Sequence, residues 1–206
     1  MMTLAVQAKN LQKDFNRRTI FKGISFELGE QRSLVVTGKN GSGKSTLVKI
    51  VAGLLSATKG SVEYRTGNTN VSIDDIRDRI GFVSPYLNLY DEFDAVENIK
   101  VLSSIRSSSV PTDSAIQTML ERVGIAARAR NLVRTYSSGM KQRLKYAVAA
   151  IHKPDLLILD EPTANLDEEG AAVVRSFVRE QEERGILVVA TNDPAEIRWG
   201  KIIVRL

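Results

Sequence analysis

The sequence predicts an α/β fold built on a mainly parallel sheet, and three observations carry the prediction. A glycine-rich stretch, Gly38-Lys39-Asn40-Gly41-Ser42-Gly43-Lys44-Ser45, follows an apolar run and opens a helical pattern. Two short segments, Leu156-Leu157-Ile158-Leu159 and Ile186-Leu187-Val188-Val189-Ala190, are apolar without alternation, as strands buried on both faces are. Strand-like and helix-like segments alternate around them, the order of a layered core.

Taken in order, the first 30 residues alternate as strands do: Leu4, Val6 and Ala8, then Ile20, Phe21, Ile24, Phe26 and Leu28 around Gly23 and Gly29. Residues 31–37 read as a buried strand. Residues 45–52 read as a helix with Leu47, Ile50, Val51 and Leu54 as its apolar residues. Further strands are expected at 61–65 and 79–84. After Pro85 the texture changes, and 94–106, 112–124 and 139–152 carry helical periodicity, with breaks such as Ser107-Ser108-Ser109-Val110-Pro111. A strand at 155–160, a helix at 168–184, a strand at 186–190, a short helix at 194–199 and a strand at 202–204 complete the chain. The stretch 86–135 reads as a helical insertion into the parallel core.

At 206 residues the chain is one domain, or one domain with a subdomain, and large enough to bury a substantial core. It has no cysteine, which excludes a disulfide framework and thiolate metal sites. No run approaches a membrane span and no signal pattern opens the chain, so a cytoplasmic protein is expected. The net charge of +5 reads mainly as solvated surface, because the densest basic stretch, 128–134, is short and interleaved with Ala, Leu and Val. No nucleic-acid partner is expected.

The glycine stretch has the spacing of a phosphate-binding loop, and its flanking strand and helix weigh against a turn that merely reverses the chain. Such a loop aims free backbone N–H groups and a positive helix end at one point. Gly38, Gly41 and Gly43 let the backbone wrap closely. Lys39, Asn40, Ser42 and Thr46 belong to the same cradle. Lys44 is placed to reach β- and γ-phosphates, and the Ser45 hydroxyl to ligate Mg²⁺. The ligand expected is a nucleoside triphosphate.

The apolar strand 156–159 runs into Asp160-Glu161-Pro162. An acid at the carboxyl end of such a strand lies where open α/β sheets bind ligands. Asp160 is the candidate Mg²⁺ holder, and Glu161 the candidate base for a water attacking the γ-phosphate. Acids often simply end strands; the phosphate loop is what makes this pair a candidate site.

Tyr136-Ser137-Ser138-Gly139-Met140-Lys141-Gln142-Arg143, just upstream of the acidic strand, resembles the signature loop of ABC-type ATPases. Ala164-Asn165-Leu166-Asp167 resembles their D-loop. The likeness covers nearly the whole chain in the family's motif order. It implies a P-loop NTPase (RecA-like) core at about 1–85 and 136–206. An N-terminal antiparallel β region and a helical subdomain at about 86–135 go with it. It also implies ATP and Mg²⁺ as ligands, and a head-to-tail dimer in which Ser137, Ser138 and Gly139 cover the partner's nucleotide. From the residues alone, Ser137 or Ser138 is equally a helix N-cap. Phe15 matches the family's adenine-stacking aromatic; on its own it reads as an apolar anchor.

Three departures from the family pattern bear on rate. Pro85 stands where a glutamine usually follows the strand at 80–84, with Asn88 nearby as a substitute. Asn192 stands at the switch histidine, able to offer a γ-phosphate one amide donor but no charge. The signature loop has Ser138 for a glycine and Met140 for a glutamine. The only histidine, His152, reads as a helix C-terminal residue. Slow hydrolysis by the isolated subunit is therefore expected.

The resemblance implies the ATP-hydrolysing subunit of a membrane transporter, peripheral on the inner face of the membrane and paired with a separate integral membrane subunit. Tyr86, Leu87, Leu89, Tyr90 and Phe93 fit either a contact with that subunit or the core of the helical subdomain. The chain's length favours a compact exporter-type subunit, a heme-exporter type among the subclasses. A soluble relative acting on ribosomes or nucleic acid is the alternative; it is disfavoured because such proteins usually carry two domains or a long coiled-coil insert. A small-molecule kinase is disfavoured because it has no use for a signature loop.

Overall fold

The computed structural model describes residues 4–29, 32–106 and 109–206. The expected strand start at Gln31 and the break residues Ser107 and Ser108 lie outside the described residues. Strands β1 (Leu4–Phe15), β2 (Arg18–Leu28), β4 (Lys59–Thr66) and β5 (Thr69–Val71) form an antiparallel sheet in the order β2-β1-β4-β5. Strands β3 (Ser33–Thr37), β6 (Ile80–Val83), β7 (Leu156–Asp160), β8 (Ile186–Ala190) and β9 (Ile202–Arg205) form the second sheet. Its order is β6-β7-β8-β3-β9, and every pairing in it is parallel. The predicted α/β class, with its N-terminal antiparallel region, is the observed one.

The unbroken apolar runs of β7 and β8 follow from a sheet covered on both faces. Leu156, Ile158, Ile186 and Val188 join one core with Leu34, Val36 and the apolar side of α1 (Lys44–Val51). Leu157, Leu159, Leu187 and Val189 face the opposite way into a second core, with residues of the helices α3 (Ala95–Arg106), α4 (Asp113–Arg122), α5 (Ser138–Ala150) and α6 (Glu168–Arg184). Each fully buried Leu, Ile or Val is worth about 1.5–3 kcal/mol.

Helix boundaries follow their caps. Asp167 accepts the Gly170 N–H at 2.8 Å to open α6, with Glu168 and Glu169 in its first turn, where the helix dipole favours acids. Helix α1 ends sooner than its apolar spacing suggests. Gly53 takes φ 70°, its N–H bonds to Ile50 O at 3.0 Å, and Leu54 N–H bonds to Lys49 O at 2.9 Å. This is a Schellman stop. It leaves Leu54 63% exposed rather than on the helix's buried face.

The sequence reading also lacked β5 and the one-turn helix α2 (Ile73–Ile76), which Ser72 and Asp75 open with a reciprocal capping box. Helix α7 (Pro194–Ile197) stops two residues before the expected end.

Candidate nucleotide site

Strand order places the candidate residues together. β8 lies between β7 and β3, so the loops leaving the carboxyl ends of all three converge. The loop from β3 runs directly into α1. Gly43 takes φ 106°, and a Cβ there would lie 2.5 Å from Ile20 Cγ2, so β2 presses against the loop and only glycine fits. The Lys44 side chain is buried, and its ammonium donates to Gly38 O at 3.0 Å and Lys39 O at 3.5 Å. It also lies 3.7 Å from Glu161 Oε1.

From β7, Asp160 is almost wholly buried and accepts the Ser45 hydroxyl at 3.0 Å on Oδ1, while its Oδ2 is buried without a partner. Ser42 Oγ is likewise buried and unpartnered. Burial raises the Asp160 pKa, against the Ser45 hydrogen bond and the charges of Lys49 and Lys44. A spare carboxylate oxygen beside a serine hydroxyl is an oxygen donor set of the kind a hard cation takes, so these residues fit Mg²⁺. Burial also raises the Glu161 pKa; Lys44 opposes the rise, and Asp160 and Glu196 add to it. Glu161 takes φ 50° and its N–H bonds to Ala190 O at 2.9 Å. That left-handed conformation costs on the order of 1–3 kcal/mol for a non-glycine residue.

Asn192, just beyond β8, meets the loop directly. Its Oδ1 accepts the Gly38 N–H at 3.3 Å, and its Nδ2 donates to Asn40 Oδ1 at 2.8 Å. Thr46 follows Ser45 in the first turn of α1. Phe15 ends β1 and is 44% exposed as a residue, and Lys13 Nζ lies 4.7 Å from its ring centre.

Ser137, Ser138 and Gly139 sit at the start of α5, apart from this cluster in chain and on their own helix end. Ser137 is the N-cap, its hydroxyl accepting Met140 N–H at 3.2 Å, and both serines are exposed. Pro85 is held through its backbone: Lys145 Nζ donates to Pro85 O at 2.9 Å and Ser84 O at 3.3 Å. Burial, and then Lys141, lowers the Lys145 pKa. Lys141 in turn pairs with Asp91 at 2.7 Å. Asn88 lines a cavity of about 310 Å³ between this segment and α5. Tyr86 is 73% exposed and Tyr90 is exposed, while Leu87, Leu89 and Phe93 are half-buried. His152 lies two residues past α5, its Nε2 2.9 Å from Ser103 Oγ.

Sequence reasoning missed Lys145, Tyr146 and Glu196. Tyr146 is an aromatic inside a helix and reads as core, yet its hydroxyl donates to Pro162 O at 2.8 Å. Lys145 reads as surface. Nothing in the local pattern marks Glu196.

Among the described residues, no helix is long and apolar enough to cross a membrane. A family model described as "ABC transporter" matches residues 21–164. The chain is 33% identical over 187 residues to the lantibiotic transport ATP-binding protein SrtF of Streptococcus pyogenes, covering 91% of this chain and 79% of that protein. It is 36% identical over 205 residues to the lipoprotein-releasing system ATP-binding protein LolD of Alcanivorax borkumensis, covering 93% and 89%. It is 32% identical over 188 residues to the linearmycin resistance ATP-binding protein LnrL of Bacillus subtilis, covering 91% of this chain but 60% of that protein's length. Among solved structures, a dimeric ATP-binding cassette in a post-hydrolysis state with ADP and Pi superposes with TM-score 0.83 at 24% identity, over 98% of this chain and 94% of that one. A putative ABC transporter ATP-binding protein from Pyrococcus furiosus gives TM-score 0.82 at 19% identity, over 98% and 97%. At these identities the structural likeness is one of fold.

Proposed function

This chain belongs to the ABC transporter family, as an ATP-binding subunit, and we propose that it hydrolyses ATP to ADP and phosphate as half of a head-to-tail dimer. The observation that carries the reading is the Ser45–Asp160 contact at 3.0 Å, with the spare, buried Asp160 Oδ2 beside it. That contact joins the phosphate loop to the acidic strand in one oxygen-donor site.

Residues 38–46 receive the phosphates through backbone N–H groups, and Lys44 supplies positive charge toward the β- and γ-phosphates. Ser45 and Asp160 would hold Mg²⁺, which supplies charge neutralisation on the phosphate oxygens when bound. Glu161 orients and deprotonates the attacking water; its raised pKa favours accepting a proton. Asn192 presents an amide donor toward the γ-phosphate from the far side of the loop, and Phe15 offers a stacking face for adenine. Ser137, Ser138 and Gly139, at an exposed helix N-terminus, complete the partner's site with hydroxyl and N–H donors.

The core at 1–85 and 136–206 holds the nucleotide, and the helical subdomain at 86–135 meets an integral membrane subunit. Exposed Tyr86 and Tyr90 support that contact. The relatives' names place them in lantibiotic transport and lipoprotein release. By analogy this chain drives a transporter from the inner face of the membrane. With Pro85 and Asn192 in place of a glutamine and a histidine, turnover of the isolated subunit is slow and rises with its partner.

The test is equilibrium binding of a fluorescent ATP analogue to the purified chain, with and without Mg²⁺. Binding strengthened by Mg²⁺ in the wild type, and losing that Mg²⁺ dependence in Ser45→Ala, is expected. A wild-type chain that takes up no nucleotide sinks the proposal.

A further inference from the structure

Glu196 is the third residue of the four-residue helix α7 and is 3% exposed. Among the described residues, no lysine or arginine forms an ion pair with it. Its oxygens are taken up by two loops instead. Oε1 accepts the Thr163 N–H at 3.2 Å and the Thr163 hydroxyl, and Oε2 accepts the Thr191 hydroxyl. A buried carboxylate without a counter-charge is a poor choice for stability alone, since an apolar side chain would pack there without the desolvation cost.

What the two loops carry explains the choice. Thr163 lies two residues after Glu161, and Thr191 directly precedes Asn192. On one side, Tyr146 of α5 pins the same turn through Pro162 O at 2.8 Å. On the other, Thr191 Oγ1 accepts the Asp193 N–H at 2.9 Å, and Asn192 is bonded to Gly38 and Asn40. The contacts therefore run without a gap from α5, through Pro162, Thr163, Glu196 and Thr191, to the phosphate loop.

We propose that Glu196 is a positioning residue for ATP hydrolysis. It locks the turn bearing Glu161 and the turn bearing Asn192 into one register. In doing so it ties the helix facing the partner's nucleotide to the loop holding the subunit's own. The inference rests on the ATPase reading above. Buried and bonded to Thr163 and Thr191, Glu196 acts through the two turns, and a displacement of about 1 Å in such groups costs on the order of 10²-fold in rate.

The experiment uses the full-length chain, with single-turnover release of labelled phosphate from γ-labelled ATP for slow rates, and analogue binding for affinity. Wild-type protein comes first: absence of nucleotide binding overturns the ATPase reading itself, separately from any role of Glu196. Given binding, Glu196→Ala is expected to slow hydrolysis at least ~10-fold while affinity stays within ~2-fold, the split expected when a group acts only in the transition state. Glu196→Gln keeps the shape and an acceptor oxygen, and is expected to recover part of the rate. Thr191→Val removes the other end of the contact. Its loss and that of Glu196→Ala are expected to overlap rather than multiply, as coupled neighbours do. Should Glu196→Ala fail to fold, Thr191→Val and Glu196→Gln carry the same readout. Hydrolysis unchanged in the soluble variants, affinity falling in step with rate, or fully independent losses would each overturn the proposal.

Discussion

Asn192 is hydrogen-bonded to Asn40 across the mouth of the phosphate loop, Nδ2 to Oδ1 at 2.8 Å. With Gly38 held by the same side chain at 3.3 Å, one exposed amide joins the end of β8 to two points of the loop. Asn192→Ala is expected to lower hydrolysis on the order of 10²-fold, the usual loss for a transition-state donor. Stability should shift by no more than about 0.5 kcal/mol, because the side chain is exposed. Single-turnover kinetics alongside thermal denaturation check both halves; an unchanged rate removes Asn192 from the γ-phosphate.

Glu161→Gln keeps the shape beside Lys44 and removes the base. Hydrolysis should fall by about 10²–10⁴-fold, the range of general-base contributions. ATP binding should persist, so the ATP-bound dimer accumulates and elutes earlier on size exclusion. A variant hydrolysing like the wild type assigns the base elsewhere.

Asp160→Asn separates metal binding from stability. Burial disfavours the Asp160 carboxylate, so its charge at neutral pH weighs against folding. The amide is expected to melt at the same temperature or higher, and to lose the strengthening of nucleotide binding by Mg²⁺. A lower melting temperature with Mg²⁺ dependence intact contradicts this.

His152 sets a pH dependence of stability. Its pKa is depressed first by burial, then by the charge of Arg106, with Asp78 opposing. A depressed histidine contributes stability fully present above the unfolded value, about 6.5, and lost as pH falls through the lower folded value. Urea midpoints should hold between about pH 8 and 6.5 and fall below that range. In His152→Gln the fall should be shallower; identical profiles would show that His152 titrates alike folded and unfolded.

Sequence patterning was informative where one physical rule acts alone. The helix at 168–184 has an Asp cap, acidic first turn and glycine stop, and its observed bounds match. Strand 186–190 matches because a doubly covered strand admits only apolar residues. Leu54 was misplaced because the left-handed turn at Gly53 outweighs helical spacing. The short β5 and α2 carry too few apolar residues to show a period. Ser137 supports two readings at once, and the structure displays the cap. Most candidate residues were legible because adjacent loops carry them as motifs. Glu196 was not, since its meaning comes from Thr163, 33 positions away, and Thr191 on another loop.

The lysines of α5 give the molecule a mechanical joint. Lys145 on Ser84 O and Pro85 O, and Lys141 on the Asp91 carboxylate, fasten the segment on either side of Tyr86 at two heights to the rod whose tip is Ser137. The segment carrying the exposed Tyr86 and the tip of α5 are thereby parts of one hydrogen-bonded frame, stiffened at residue 85 by the fixed φ of proline.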